Sequence, residues 1–416
     1  MIEGTAPIEA ADPIVSAGSR TIARLKAPTA MKAVLFACQN IRLGQLRFVL
    51  PDGRTLAFGE PEPGRIATIV VRDYAFARRV LAAGDIGFAE GYMAGEWDTP
   101  DLTAVLEVVS ANIERMRRLL RGARFAQLLN GLMHQLRDNT RAGARRNIHA
   151  HYDLGERFYS AWLDPSMTYS SAKFTHERED LETAQLNKYR AIAQELSLSP
   201  RDRVLEIGCG WGGFAELAAK EYGAAVTGLT ISERQHAFAR ERMRRAGLAE
   251  RVDIRLQDYR DVGERVDKVV SIEMFEAVGE RHWGEYFGKI REVLRPGGRA
   301  VLQVITIADA EFERYRKRVD FIQRYIFPGG MLPSLARLQE EIGRAELAVE
   351  RVTAFGQSYA RTLAEWGERF TAAWEDIKGE GFDERFRRLW RFYLSYCEAG
   401  FRTARTDVVQ VALAKV

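Results

Sequence analysis

Val204-Leu-Glu-Ile-Gly-Cys-Gly-Trp-Gly-Gly-Phe214, with the run Ala215 to Lys220 behind it, is the stretch whose reading decides the fold. An apolar run carrying one acid leads into a Gly-x-Gly-x-Gly turn at Gly208, Gly210 and Gly212, and a helix-forming segment follows. That order reads as the first strand, loop and helix of a doubly wound α/β domain. Glycine lets the backbone come close to a ligand, and the helix N-terminus adds free N–H groups and positive dipole. A nucleotide-like ligand belongs here, although the glycines alone leave its identity open.

Downstream, the chain alternates. Val204–Ile207 reads as a strand, Gly212–Glu221 as a helix, Ala224–Leu229 as a strand, Ser232–Ala246 as a helix, and Val252–Leu256 and Val266–Ile272 as further strands. A helix over Glu280–Leu294 ends at Pro296-Gly-Gly298, from which Arg299–Ile307 makes a buried strand, and the remainder from Glu311 reads as mostly helical. Upstream, Ile41–Val71 shows alternating apolar residues around a Pro51-Asp-Gly53 turn, which suggests a few antiparallel strands. Helical stretches follow near Tyr74–Ala83, Gly87–Ala94 and Asp101–Asn112. The fold class expected is therefore α/β, a doubly wound Rossmann-like domain preceded by a small α+β domain. The boundaries read as a loose tail over 1–28, the small docking domain over 29–112, a basic amphipathic linker over 113–146, and the doubly wound domain with a helical insert over 147–416.

A chain of 416 residues, 46% of them hydrophobic, is long enough for two cores. Its three cysteines, Cys38, Cys209 and Cys397, are far apart and lack metal-ligand spacing, so neither a disulfide framework nor a metal site is expected. No run of about 18 apolar residues suggests a spanning helix. The net charge of +4 is uneven: Ile113–Arg146 holds nine arginines, at 115, 117, 118, 121, 124, 137, 141, 145 and 146, against Glu114 and Asp138. Apolar residues at helical spacing run between them. Such a segment suits a solvated packing face, an anionic lipid surface or nucleic acid, but no base-stacking motif accompanies it. A protein of the cytoplasm, lying peripherally on the inner face of the membrane, is the location expected.

The ligand is narrowed by the strands after the glycine loop. A dinucleotide site would place an acid at the end of the second strand, whereas here the chain reads Gly228-Leu-Thr-Ile-Ser-Glu-Arg-Gln235. Gln257-Asp-Tyr259 follows the third strand, and an acid with a neighbouring ring at that point suits the adenine of S-adenosylmethionine. Glu206 is placed to bind the cationic end of its methionine moiety.

His151-Tyr-Asp-Leu-Gly155, Leu163-Asp-Pro-Ser-Met-Thr-Tyr-Ser170, Val204–Gly213, Gly228–Gln235, Phe275-Glu-Ala-Val-Gly279, Tyr325-Ile-Phe-Pro-Gly-Gly330 and Tyr359-Ala-Arg-Thr-Leu363 resemble the cyclopropane-fatty-acyl-phospholipid synthases. Phe88–Asp98 is similar to that family's first domain. The resemblance implies S-adenosylmethionine as cofactor, held by Tyr169, Ser170, Glu206, Gly208, Gly210, Gly212, Leu229, Thr230, Gln235, Asp258 and Tyr259. It implies methyl transfer to the cis double bond of an unsaturated phospholipid acyl chain at an anionic membrane surface. The carbocation so formed would be stabilised by aromatic faces, with Phe275, Tyr325, Tyr169 and Tyr359 as candidates. It further implies a bicarbonate ion as base, held at four positions that correspond here to Ser171, Glu276, Gln303 and Tyr359. Ser171 and Gln303 stand where the family has Cys and His, so both ring closure and bicarbonate binding are open. A methyl-branched or methylene fatty acid is the alternative product, and a non-catalytic lipid- or cofactor-binding relative is a further alternative. A nucleic-acid partner is not expected, and a homodimer is left open.

Overall fold

The computed structural model describes residues 15–62, 65–117 and 154–415. The chain divides into two compact units, and the division differs from the boundaries expected from sequence. The first unit takes the described residues before 118 together with Asp383–Ala399; the second takes the described residues of 154–382 and those from Gly400 onward.

In the first unit, strands β1 (Val15–Ser16), β2 (Gln45–Val49), β3 (Thr55–Phe58), β4 (Ile66–Val71) and β5 (Trp97–Asp98) form one sheet in the order β1-β3-β2-β4-β5. The antiparallel expectation holds for β2 with β3 but fails for β2 with β4, which pair in parallel. Alternation of apolar residues reports which face is buried and says nothing of which strand lies alongside. The tail expected over 1–28 is also corrected where it is described: β1 pairs with β3, and the helix Ser19–Arg24 buries Ile22. Most of the basic segment 113–146 lies outside the described residues. Within the same unit, the Arg388 guanidinium donates to Asp98 at 2.9 Å and lies over the Tyr92 ring, tying Asp383–Ala399 to the sheet.

The second unit is built on a seven-stranded sheet. Its strands are β6 (Arg203–Ile207), β7 (Ala225–Thr230), β8 (Val252–Leu256), β9 (Val266–Ile272), β10 (Leu294–Ile307), β11 (Leu347–Ala354) and β12 (Thr406–Lys415). The order is β11-β12-β10-β9-β6-β7-β8, with β12 antiparallel to both its neighbours and the rest parallel. From β6 the chain moves outward through β7 to β8, then returns to lay β9 on the other side of β6. Ligands of doubly wound sheets sit at such a reversal, outside the carboxyl ends of the strands. One apolar cluster, with Phe275, Trp283, Tyr286 and Phe287, and another, with Tyr189, Ile192, Phe214 and Leu217, supply the core. β6 is buried at every residue but its first, as a central parallel strand covered on both faces must be. The strands β11 and β12 were not legible as strands, because short apolar runs such as Val408–Leu413 fit a buried helix equally well.

Candidate active site

The glycine loop follows β6 at the reversal point. Gly208, Gly210 and Gly212 all have positive φ, the region glycine enters without steric cost. A side chain on Gly208 would collide with Met274, whereas Gly210 faces open space, leaving bare backbone that a ligand can approach. Gly208 and Cys209 donate their N–H groups to the Leu229 carbonyl, which ties the loop to the end of β7. Glu206 is 2% exposed, and its Oε2 has no hydrogen-bond partner among the described residues. Burial pushes its carboxyl up to about 8, against the pull of Arg242 and Lys188. A buried acid with an unmet acceptor is costly unless a ligand supplies the donor.

Around the loop, the Thr230 hydroxyl donates to Gln235 Oε1 at 2.9 Å, and the Ser232 hydroxyl caps the helix Glu233–Arg245 by accepting from Gln235 N–H. Leu229 and Thr230 end β7 and are buried. Asp258 is less available than its position after β8 suggested, because Arg260 donates to both carboxylate oxygens, at 2.9 and 2.7 Å. The Tyr259 ring packs on Tyr286 at 5.4 Å between centroids. Ser170 Oγ accepts from Lys188 Nζ, a lysine of the helix Leu181–Glu195 with no exposed surface. Burial lowers Lys188 to about 7, while Glu273, Asp164 and Glu206 pull the other way.

Ser171, Gln303 and Tyr359, which the resemblance sets around one ion with Glu276, each donate to Glu273. The Ser171 N–H donates to Glu273 Oε1 at 2.9 Å, Gln303 Nε2 donates to the same oxygen at 2.8 Å, and the Tyr359 hydroxyl donates to Oε2 at 2.7 Å. Glu276, expected in that place, instead accepts the Ile305 N–H on Oε1 at 2.5 Å, while its Oε2 has no partner among the described residues. The Ser171 hydroxyl is turned to the Ala172 carbonyl at 2.8 Å. The donors that would hold a separate bicarbonate ion are thus spent on the protein's own carboxylate, and the site does not fit that ion. Glu276 is pushed up to about 8 by burial and by the neighbouring Glu273, whose own carboxyl is raised by burial and drawn back by Lys188 and its donors.

The aromatic candidates separate. Tyr169 packs against Tyr159, Trp162 and Trp366, and Trp366 in turn meets Tyr359 at 6.2 Å. Phe275 is corrected: it stacks on Trp283 and packs on Tyr286 and Phe287 in the core. Tyr325 packs on Phe321 under the Arg324 guanidinium. Sequence reading missed Glu273, Lys188 and Trp366. A helical lysine and a tryptophan carry no motif, but Glu273 sits three residues before Glu276 and could have been weighed beside it.

A family model for mycolic acid cyclopropane synthetase matches residues 139–411. The chain belongs to that family. It is 38% identical over 88% of its length to a tuberculostearic acid methyltransferase of Mycobacterium tuberculosis, covering 87% of that protein. It is 37% identical over 84% of its length to the cyclopropane-fatty-acyl-phospholipid synthase of Escherichia coli K12, covering 88% of it. Among solved structures, a mycolic acid cyclopropane synthase in complex with SAH and CTAB superposes with a TM-score of 0.61 at 31% identity, over 65% of this chain and 98% of the other. The protein is an S-adenosylmethionine-dependent C-methyltransferase of the cyclopropane synthase family, with the class I methyltransferase fold. The orphaned Glu206 oxygen and the open backbone at Gly210 suit that cofactor. Among the described residues, no helix is long and apolar enough to cross a membrane.

Proposed function

We propose that this protein methylates the cis double bond of an unsaturated acyl chain in a membrane phospholipid. The observation that carries this reading is the continuity between an aromatic wall and a half-buried carboxylate: Tyr169 adjoins Trp366, Trp366 adjoins Tyr359, and the Tyr359 hydroxyl ends on Glu273. An alkene is a weak nucleophile whose attack leaves a cation, so the site must exclude water, present aromatic faces and then accept a proton. S-adenosylmethionine supplies the electrophilic methyl group when bound. Glu206, the glycine loop, Thr230 and Gln235 would hold it, with Tyr169, Ser170, Asp258 and Tyr259 at the margin.

A methylene-branched or methyl-branched unsaturated chain is the product favoured over a ring. Two supports are the replacement at Ser171 and Gln303 of the residues the resemblance leads one to expect, and the similarity to a tuberculostearic acid methyltransferase. The arginine-rich segment 113–146 suits anionic head groups at the inner face of a membrane. Expression in a host without such enzymes, followed by mass and proton spectra of its membrane fatty acids, tests the reading. New chains heavier by one methylene, carrying exocyclic or in-chain alkene protons, are expected. Unchanged fatty acids overturn it, and a ring signal alone overturns the product assignment.

A further inference from the structure

We propose that the Glu273 carboxylate is the general base of this enzyme, a built-in replacement for a separate anion. The inference rests on the C-methylation reading above and adds to it the residue that ends the reaction.

The first observation is conformational. Glu273 has φ of +48°, in the left-handed region that favours glycine and costs other residues on the order of 1 kcal/mol. No turn requires glutamate there, and a glycine would relieve the backbone. Strain of this kind persists where the side chain earns its place by function. The backbone is held in that conformation from the neighbouring strand, with Glu273 N–H donating to the Gln303 carbonyl at 2.8 Å.

The second observation is the donor set. Three elements far apart in sequence each contribute one hydrogen bond to this carboxylate: the loop at Ser171, strand β10 at Gln303, and the helix Gly356–Ala372 at Tyr359. Ser171 and Gln303 have no exposed surface, and Tyr359 is buried. Glu273 itself keeps part of its surface accessible among these buried neighbours. Packing alone would be served by an apolar residue without the desolvation cost of an acid. Donors arranged this way hold a carboxylate in its ionised form and fix where its lone pairs lie. Oε1 receives two donors and Oε2 only one, so Oε2 has a lone pair left to take a proton.

The third observation is the neighbouring acid. Glu276 keeps one oxygen without a partner among the described residues, and the proximity of two acids favours ionisation of only one. Glu273, which accepts three hydrogen bonds, is the one of the two placed to carry the charge; Glu276, raised to about 8 by burial and by Glu273, keeps its proton around pH 7.

The electron balance follows. The alkene π pair forms the new C–C bond to the sulfonium methyl carbon, the C–S bond pair stays on sulfur, and the adjoining chain carbon is left cationic. A C–H bond of the new branch, or of the chain beside it, then gives its electron pair to the chain and its proton to Oε2 of Glu273. The neutral product leaves, and the proton passes to solvent. No oxidant or reductant is needed.

The test uses full-length enzyme, S-adenosylmethionine and vesicles of cis-unsaturated phosphatidylglycerol in bicarbonate-free buffer. Wild type is expected to turn over there as fast as with added bicarbonate. Glu273→Gln, which keeps the shape but cannot take a proton, is expected to fall by about a hundredfold or more, the range for loss of a general base. It should bind S-adenosylmethionine with unchanged affinity by titration calorimetry. Glu273→Gly suits the backbone and opens the anion place, so its turnover should be low without bicarbonate and rise when bicarbonate or formate is added. Loss of wild-type activity on removing bicarbonate overturns the proposal, as does a Glu273→Gln variant within a few-fold of wild type. Wild type that binds the cofactor yet never methylates these vesicles overturns the function reading, and this inference with it; turnover by wild type with no effect at Glu273 sinks the base assignment alone.

Discussion

Gln303 stands opposite Gln410 in the register of β10 and β12, and Gln410 Nε2 donates to Gln303 Oε1 at 3.1 Å. That bond fixes the Gln303 amide, leaving its Nε2 to donate to Glu273. Gln410 Nε2 also reaches the Lys188 carbonyl, at 3.4 Å, so one side chain braces two elements that face the acid. Replacing Gln410 by Leu should leave Gln303 Oε1 without its donor and loosen the amide that donates to Glu273. Removing one buried hydrogen bond costs about 1–3 kcal/mol. A several-fold fall in kcat, with a melting temperature a few degrees lower, is expected in a combined kinetic and thermal-shift comparison; an unaltered kcat would remove Gln410 from the positioning of Glu273.

Cofactor affinity should depend on pH through Glu206. Its carboxyl stands at about 8, raised first by burial. Lys188 and Arg242 favour its ionised form, while Tyr189 and Cys209 pack nearby and are themselves shifted upward by burial. The ammonium of S-adenosylmethionine binds the carboxylate form, so binding must expel the proton that Glu206 carries below pH 8. As pH falls from about 7.5 to about 6, the dissociation constant should therefore rise by up to tenfold per unit. Glu206→Gln should bind weakly and with a flat pH profile. Calorimetry in buffers of differing ionisation enthalpy counts the released proton directly, and zero release would disprove the assignment.

Among the groups that shift Glu273, Lys188 is the one cation, and the Tyr359 hydroxyl, the Ser171 N–H and the Gln303 amide act beside it as hydrogen-bond donors. Lys188→Met should let Glu273 rise further, since desolvation would act without that counter-charge. A base must be ionised to act, so the acid limb of the kcat profile should move to higher pH by about one unit. Lys188→Arg should restore part of the difference. A profile that keeps its position while activity falls uniformly would point to a packing role.

How much of this was legible in the sequence follows from what each signal reports. The glycine loop and the βαβ alternation rest on local turn and helix chemistry, so β6 to β10 could be read directly. Side-chain period does not report strand neighbours, which is why the parallel pairing of β2 with β4 and the β11–β12 pair were out of reach. In the site, Ser171, Gln303 and Tyr359 were placed together by resemblance. Their target was not, because the identity of Glu273 as the acceptor depends on a backbone turn at positive φ that no composition reveals. Phe275 was misassigned for the opposite reason: next to a motif acid it looked like a site residue, but its helix neighbours Trp283 and Phe287 claim its ring.

Membrane attachment through the basic segment is tested by salt. Binding to vesicles containing phosphatidylglycerol should weaken as ionic strength rises, because screening at 0.15 M shortens electrostatic reach to about 8 Å. Charge reversal at Arg117, Arg118 or Arg121 changes that site by two charges and should weaken attraction near the surface by about 2 kcal/mol, at about 1 kcal/mol per charge. Sedimentation with vesicles at low and high salt measures both effects. Binding indifferent to salt would assign attachment to apolar insertion.

The product is decided by residues that act together. Ser171→Cys with Gln303→His restores the residue types that the resemblance implies, and a neutral imidazole can still donate to Glu273 and accept from Gln410. Glu273 would continue to fill the place between them, so this double variant should leave the ratio of ring to branched product unchanged. Adding Glu273→Gly vacates that place, and only then, with bicarbonate supplied, should the cyclopropane fraction rise. Proton spectra separate ring hydrogens from exocyclic methylene hydrogens even though the two products share one mass. If the double variant alone moves the ratio as far as the triple, the choice lies with Ser171 and Gln303 themselves, and Glu273 has no part in it.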